Sequence, residues 1–473
     1  MKPHPILLLF LEVTVCATIL GFTIPQSPIR LGGLLIIFLC MWKCITTCPT
    51  YLVRSAWASL AGGYAVSIFF HYIDIALLSQ WSFETNMPAT EPPQLKDEYE
   101  FVRRWKSPLA KKGSSWKGKL RFGLSSTFTT RFCGTPHEVR NVPRFSYSDP
   151  KYAPSRPRFI RDTALTVLLC YLILDAMDEG ADPAMVHEYF SEQNIPFFRR
   201  FHDISGNEIL MRASGGIGVI LGLMCSQGGF YNLFALISNV LGLSAPKDWP
   251  PFYGSPLEAY SLRRFWGVFW HQTNTHKFNS ISNFVLRNVF KIQARRGFIP
   301  KYARVIIIFA ISAVMHFLID ISGGIPVHKS GAVHFFCTQA FGIVIEDVAI
   351  KLYSYITVYT NARLPLLVER VLGFTWVGLF LVWSTPMYVY PMMYRSAAGP
   401  NDVIVPFSII GLLNYLRLPT YRAGQATKFP DFIVALSSIQ NAANALAPDI
   451  HLLILVISFP NHRSIRVSDE SIA

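Results

Sequence analysis

Five stretches of this chain, 6–24, 56–79, 216–243, 302–320 and 371–390, are apolar over roughly the 20 residues that a helix needs to cross a hydrocarbon layer about 30 Å thick. Five more, 28–42, 162–177, 332–349, 403–417 and 448–459, are shorter or interrupted by a polar residue. Inside lipid every backbone N–H and C=O must be satisfied within the protein, so segments of this kind are helices. The chain is 51% hydrophobic and 15% charged over 473 residues, whereas soluble domains carry about a quarter charged residues. These stretches predict an all-α, polytopic integral membrane protein with about eight to ten transmembrane helices. The first reads as a retained span and not as a cleaved leader: its apolar part is long, it contains Glu12, and no small-residue cleavage pattern follows.

Polar segments divide the chain. N-terminal transmembrane helices occupy 1–95, a basic loop 96–161, a membrane core 162–460 and a polar tail 461–473. The basic loop holds sixteen Lys and Arg against five acidic residues, Asp97, Glu98, Glu100, Glu138 and Asp149, and helps bring the net charge to +14. Such a run fits a cytosolic loop attracted to anionic headgroups. No nucleic-acid-binding fold or interleaved repeat accompanies the charge, so nucleic acid is not expected as a partner. Two spans later, the polar region 244–301 is again rich in Arg and Lys, which places it on the same cytosolic side. Cys40, Cys44 and Cys48 recur every four residues, but nothing nearby completes a metal set, so they read as small buried apolar groups. No metal and no disulfide framework is expected.

One stretch of region 244–301 is too charged to cross a bilayer and too aromatic for an ordinary surface helix: "SLRRFWGVFWHQTNTHKF", Ser261 to Phe278. On a helix, Leu262, Phe265, Trp266, Phe269 and Trp270 fall within an arc of roughly 140°. Arg263, Arg264, Gly267, His271, Asn274 and Thr275 take the other side, and His276 and Lys277 fall out of phase. The pattern predicts an interfacial amphipathic helix that ends or bends before His276. A purely structural surface helix would carry more Lys; this polar face combines Arg, His and Asn.

A second stretch, "YARVIIIFAISAVMHFLIDISGG" (302–324), places His316 about fourteen residues into a span, roughly 21 Å deep at 1.5 Å per residue. An ionisable residue at that depth marks a functional site by default. Ser312, His316 and Asp320 share one helix face at i, i+4, i+8. Either neighbour can accept the imidazole N–H and fix the tautomer a general base needs.

These residues carry a resemblance. "WPPFYGSPLEAYSLRRFWGVFWHQ" (Trp249 to Gln272) resembles the signature of the wax synthase-like branch of the membrane-bound O-acyltransferases. There a Pro-Pro-Phe-x-Gly-Ser-Pro run precedes Ser-Leu-x-x-Phe-Trp-x-x-x-Trp-His. "VMHFLID" and "FFCTQAFGIVIED" (Phe335 to Asp347) are similar to the later intramembrane histidine and the segment following it. The overall look is similar to fungal enzymes that acetylate hydroxyls of terpenoid or meroterpenoid intermediates. The resemblance implies acyl transfer from acyl-CoA, acetyl-CoA above all, to a lipophilic alcohol at a membrane such as the endoplasmic reticulum, with acyl-CoA as co-substrate and no metal or redox cofactor.

By position, His316 matches the family's catalytic histidine and His271 the residue closing the Phe-Trp-x-x-x-Trp motif. Asp320 and Ser312 support His316, and His271, Asn274 or Gln272 supplies the oxyanion donor. Wax synthase-like relatives often place two basic residues just before Trp-His, where this chain has Val268 and Phe269. The CoA phosphates therefore fall to Arg263, Arg264 or Lys277. A long-chain wax ester synthase is the alternative within the class. A proton-coupled transporter using His316 and Asp320 is the alternative outside it, disfavoured because no inverted repeat is visible. Both histidines argue against an inactive scaffold.

Overall fold

The computed structural model describes residues 3–84, 87–88, 115–180, 182–293, 297–397 and 403–417. Among them seven helices are long and apolar enough to cross a membrane: Pro5–Phe22, Ile29–Tyr51, Ser55–Leu78, Gly206–Val240, Phe298–Ser322, Val327–Thr360 and Leu366–Ser384. The expected span at 162–177 lies in the 24-residue helix Arg156–Glu179, whose first turns carry Arg156, Arg158, Arg161 and Asp162. At 403–417 the structure gives instead a short helix, Ile409–Arg417. Nine residues span only about 14 Å. Its chain is pinned from outside: Asp175 accepts from the Ile409 and Ile410 N–H groups, and Asp178 from those of Ile404 and Val405. The expected span at 448–459 and the tail 461–473 lie outside the described residues.

Local sequence sets the helix ends. Pro5 sits at the start of the first helix, where its missing N–H costs nothing, and the His4 ring accepts from the Ile6 N–H. Arg30 is buried at the entry to the second helix, satisfied entirely by neighbours. Its guanidinium donates to the carbonyls of Ala76, Thr23 and Trp81. The outward face of Ile29–Tyr51 carries Leu31, Leu35, Phe38, Leu39 and Trp42, whereas the inward face carries Ile37, Met41, Cys44, Ile45 and Cys48. Both faces are apolar, which suits a helix with lipid on one side and protein on the other.

The first three spans pack together, with Trp116–Phe128 laid along the first. Gly123 makes that close approach possible, since a Cβ there would meet the Ala17 carbonyl oxygen at 1.9 Å. Phe298–Ser322 stands at the centre, between Ser55–Tyr72 and the helix Ala332–Thr360. One of its faces places Phe309 and Ala313 in a core with Phe265, Phe269, Phe335, Phe336 and Phe380. Its other face sends Met315 into a core with Met41, Ile45, Val66 and Phe278. His316 is therefore fixed between two packed layers.

Candidate active site

The bend expected before His276 is present, but it comes as early as Trp270, so Ser261–Phe278 holds two helical pieces. Ser261 caps the first piece, its Oγ accepting from the Arg264 N–H at 3.1 Å. After Leu262–Arg264 the backbone widens into a π-turn, Phe265–Phe269, closed by the Trp270 N–H donating to the Phe265 carbonyl at 2.8 Å. Widened turns of this kind occur frequently at functional sites. Trp270 then turns extended, and a second helix runs Thr275–Phe284. His271 lies in the bend, not on the helix face assigned to it by the 3.6-residue pattern.

Of the two surroundings open to the aromatic arc, lipid or protein, the structure gives protein. Leu262, Phe265 and Phe269 are buried in the central core, with Trp266 and Trp270 packed against it. The Trp266 indole N–H donates to Gln339 Oε1, and the Gln339 amide donates to Ser384 Oγ. Upstream, "PPFYG" folds over the π-turn. The Gly254 N–H donates to the Phe269 carbonyl at 2.8 Å, and a Cβ on Gly254 would sit 2.2 Å from the Val268 oxygen. Val268 and Phe269 thus form a packing joint.

His316 Nδ1 lies 2.8 Å from the Ser312 carbonyl oxygen. A carbonyl can only accept, so Nδ1 carries the proton and Nε2 keeps its lone pair. The ring stacks on Phe336 at 4.1 Å between centroids, with Tyr388 edge-on at 6.0 Å. Asp320 is not the imidazole's partner: it accepts from Ser330 Oγ at 2.6 Å, and it lies beside the Tyr388 hydroxyl. Asp320 therefore meets His316 only by way of Tyr388, whose ring stands edge-on to the imidazole, while Ser312 holds the ring by its backbone.

From His316 an unbroken run of rings leads to His271. Phe336 meets Trp266 at 6.0 Å, Trp266 meets Trp270 at 6.0 Å, and Trp270 meets His271 at 5.6 Å. His271 is walled by Phe252 and Tyr253 on its other side, at 5.5 and 6.1 Å. Burial pushes its imidazole down to about 3, and the nearby His316, Lys277 and Arg131 add to the shift, so the ring is neutral. Its Nδ1 lies 2.9 Å from Thr273 Oγ1. With the hydroxyl donating there, Nε2 presents an N–H.

Of the other expected donors, Gln272 is committed at both ends of its amide, to the Trp270 carbonyl and to Thr275 Oγ1. Asn274 stands at the start of the second helix without a side-chain capping bond and is half-buried.

The three cations assigned to CoA fall in different places. Lys277 is 1% exposed and donates to Ser67 Oγ at 2.6 Å, so it is not at a basic mouth, and that expectation is corrected. Arg263 pairs with Asp347 at 2.7 Å, an aspartate shared with Lys301 and the Tyr302 hydroxyl. Arg264 pairs with Glu258 and lies over the Tyr260 ring at 4.7 Å, with Arg370 over the same ring at 5.4 Å. The Arg263 and Arg264 side chains keep 37% and 36% exposure. The backbone N–H groups of Leu262 and Arg263 are held by Glu346, which also accepts from the Trp376 indole. Sequence reasoning missed Glu346, Asp347, Arg370 and Tyr388, whose roles follow from packing partners far apart in the chain.

Lys277 offers a test by pH. Burial pushes its ammonium down to about 7 from the ordinary 10.5, against the attraction of Asp74. Between those values the unfolded chain binds a proton that the folded chain does not, so stability rises with pH across that window. Lys277→Met is expected to raise the thermal midpoint of detergent-solubilised protein most below pH 7. The gain should shrink as pH climbs from about 7 toward 10, with the KM for acyl-CoA changed less than about twofold. A lower midpoint at pH 6, or a raised KM, shows that the ammonium holds something the fold or the donor needs.

Residues 249–338 match the sequence pattern of the membrane bound O-acyl transferase family. The chain is 27% identical over 416 residues to acetyltransferase fsoF of Humicola fuscoatra, covering 85% of this chain and 98% of that protein. It is 33% identical over 293 residues to acetyltransferase ataH of Aspergillus terreus, covering 59% of this chain and 91% of that one. Acetyltransferase TRI7 of Fusarium sporotrichioides is 32% identical over 295 residues, covering 60% and 66%. The two histidines, the bend and the aromatic wall between them all fall in or beside the matched region, and the relatives extend the likeness over most of the remaining chain. This polytopic membrane protein belongs to the membrane bound O-acyl transferase family.

Proposed function

We propose that the chain moves an acetyl group from acetyl-CoA to a hydroxyl of a lipophilic acceptor, such as a terpenoid or meroterpenoid intermediate of secondary metabolism, in the endoplasmic reticulum membrane. The observation that carries this reading is the run of aromatic rings that joins His316 to His271, the first with its Nδ1 proton committed to the Ser312 carbonyl so that Nε2 keeps its lone pair, and the second neutral. The acetyl donor is favoured by the relatives, which are named as acetyltransferases. The bulky rings packed between the two histidines, Phe336, Trp266 and Trp270, also favour a short acyl group over a long chain.

The reaction needs one proton moved twice. His316 Nε2 takes the hydroxyl proton while the alcohol oxygen bonds to the thioester carbon, and the Nδ1–H bond to Ser312 steadies the imidazolium that forms. The carbonyl oxygen becomes an oxyanion, to which the His271 Nε2–H donates. The C–S bond then breaks, and the departing CoA sulfur receives the proton from His316, leaving ester and free thiol. No electron changes hands, so the balance closes without a metal or redox cofactor. The first three helices pack against the same centre, with Met41, Val66 and Phe70 against Phe278 and Met315, and Ser67 accepting from Lys277.

The donor phosphates are assigned to the half-exposed arginine face at Tyr260, where Arg264 and Arg370 flank one ring. Two guanidiniums so close attract an anion, even with Glu258 neutralising part of the charge. Arg264→Ala is expected to raise the KM for acetyl-CoA about tenfold while kcat falls less than threefold. Steady-state kinetics with the reverse pattern would move Arg264 into the chemical step.

The deciding experiment feeds microsomes containing the chain with radiolabelled acetyl-CoA or palmitoyl-CoA and a panel of lipophilic alcohols. Ester from acetyl-CoA is the expected result. Ester from palmitoyl-CoA alone assigns a wax ester synthase, and proton-coupled solute flux without ester assigns a transporter.

A further inference from the structure

We propose that Arg131 and Phe132, consecutive residues of the basic segment before the core, form a clamp that positions His271. This rests on the reading of His271 as a catalytic group. Arg131 is 4% exposed and sits far from bulk water. Its two terminal nitrogens donate to the Pro251 carbonyl at 2.6 Å, the Pro250 carbonyl at 2.8 Å and the Tyr231 hydroxyl at 2.5 Å. The Tyr231 hydroxyl in turn donates to the Pro250 carbonyl at 2.7 Å. The guanidinium also lies over the Tyr231 and Phe252 rings. Pro250 and Pro251 have no N–H, so this loop cannot hold itself by a backbone ladder. A planar fork with several donors is what fixes two successive carbonyls at once. Phe252, the next residue, forms the wall against the His271 ring at 5.5 Å.

Phe132 holds the opposite end of the bend. It is 1% exposed, with its ring 4.3 Å from the His276 ring and 5.0 Å from Trp81. His276 is tied through Nδ1 to Asp74 on the third span at 2.5 Å. Phe132 has φ of +53°, a left-handed conformation that is an outlier for a bulky residue. Strained backbone persists where the surroundings over-determine it, and it clusters at functional sites. That conformation lets adjacent residues engage different partners: Arg131 grips the loop before the π-turn, and Phe132 grips the helix after the bend. His271 lies between the two grips, and no member of the clamp touches the reacting atoms.

The test uses the full chain in microsomes, with protein amount and monodispersity checked by fluorescence-detected size exclusion. Arg131→Met is expected to lower kcat at least about 50-fold while the KM for acetyl-CoA stays within about threefold, because orientation is lost and donor binding is not. Arg131→Lys is expected to recover at least about fivefold of that loss by restoring one donor. A well-folded Arg131→Met with kcat within threefold of the parent overturns the proposal, as does a KM that rises in step with the fall in kcat.

Should Arg131→Met aggregate, Tyr231→Phe, which removes one hydroxyl and keeps the ring, decides the matter. A fall in kcat of about fivefold at unchanged KM supports the clamp, and a normal kcat sinks it. A fully active His271→Ala refutes the catalytic reading instead, so the two failures are told apart.

Discussion

Replacing His316 by alanine is expected to lower the rate of ester formation by about 10³-fold, within the range general-base catalysis supplies. The expectation follows from the hydrogen-bond direction. The Ser312 carbonyl obliges Nδ1 to be the donor, so Nε2 keeps the lone pair of a ring stacked on Phe336. His316→Gln is expected to be nearly as inactive, since an amide accepts a hydrogen bond but does not take a proton at neutral pH. Both variants should keep their thermal midpoint within a few degrees, because the ring stacks on Phe336 without closing any wider network. An initial-rate assay at saturating donor and acceptor checks this, and ester formation at more than a tenth of the parent rate removes His316 from the base role.

His271→Ala is expected to lower kcat by about 10²–10³-fold, the usual cost of one oxyanion donor, with the KM for acetyl-CoA changed less than fivefold. Burial already holds the ring neutral across physiological pH, so its contribution is a hydrogen bond and not a charge. His271→Asn, which keeps an N–H near the same place, should recover part of the loss. Recovery by asparagine, measured against alanine at equal protein amount, separates a hydrogen-bonding role from a packing one. An asparagine variant no better than alanine assigns the side chain to packing against Phe252 and Trp270.

Much of this was legible in the chain. His316 stood out because a titratable group about 21 Å into an apolar helix is costly there. His271 stood out only through the motif around it. What stayed open was the surroundings of the aromatic arc, because lipid and protein look alike to an apolar side chain. The 3.6-residue arc of Phe265, Trp266, Phe269 and Trp270 identified a buried face, but periodicity cannot say what buries it. The helix Ala332–Thr360 and its neighbours cover it. Asp320 shared a face with His316, yet its nearest donors came from Ser330 and Tyr388, which no local spacing reveals. Arg131 was hidden among sixteen basic residues, and Lys277 looked like one more cation at a mouth. Their burial depends on Pro250, Pro251 and Ser67, each far away in sequence.

The central claim is that His316 and His271 act on one substrate in one step. The kcat values of His316→Ala, His271→Ala and the double variant, measured in the same microsomal preparation, test it most directly. Groups that serve one transition state are not additive. The double variant should therefore fall within about threefold of His316→Ala alone. Losses that multiply in full, so that the double variant is slower than His316→Ala by the whole His271 factor, would contradict a shared site.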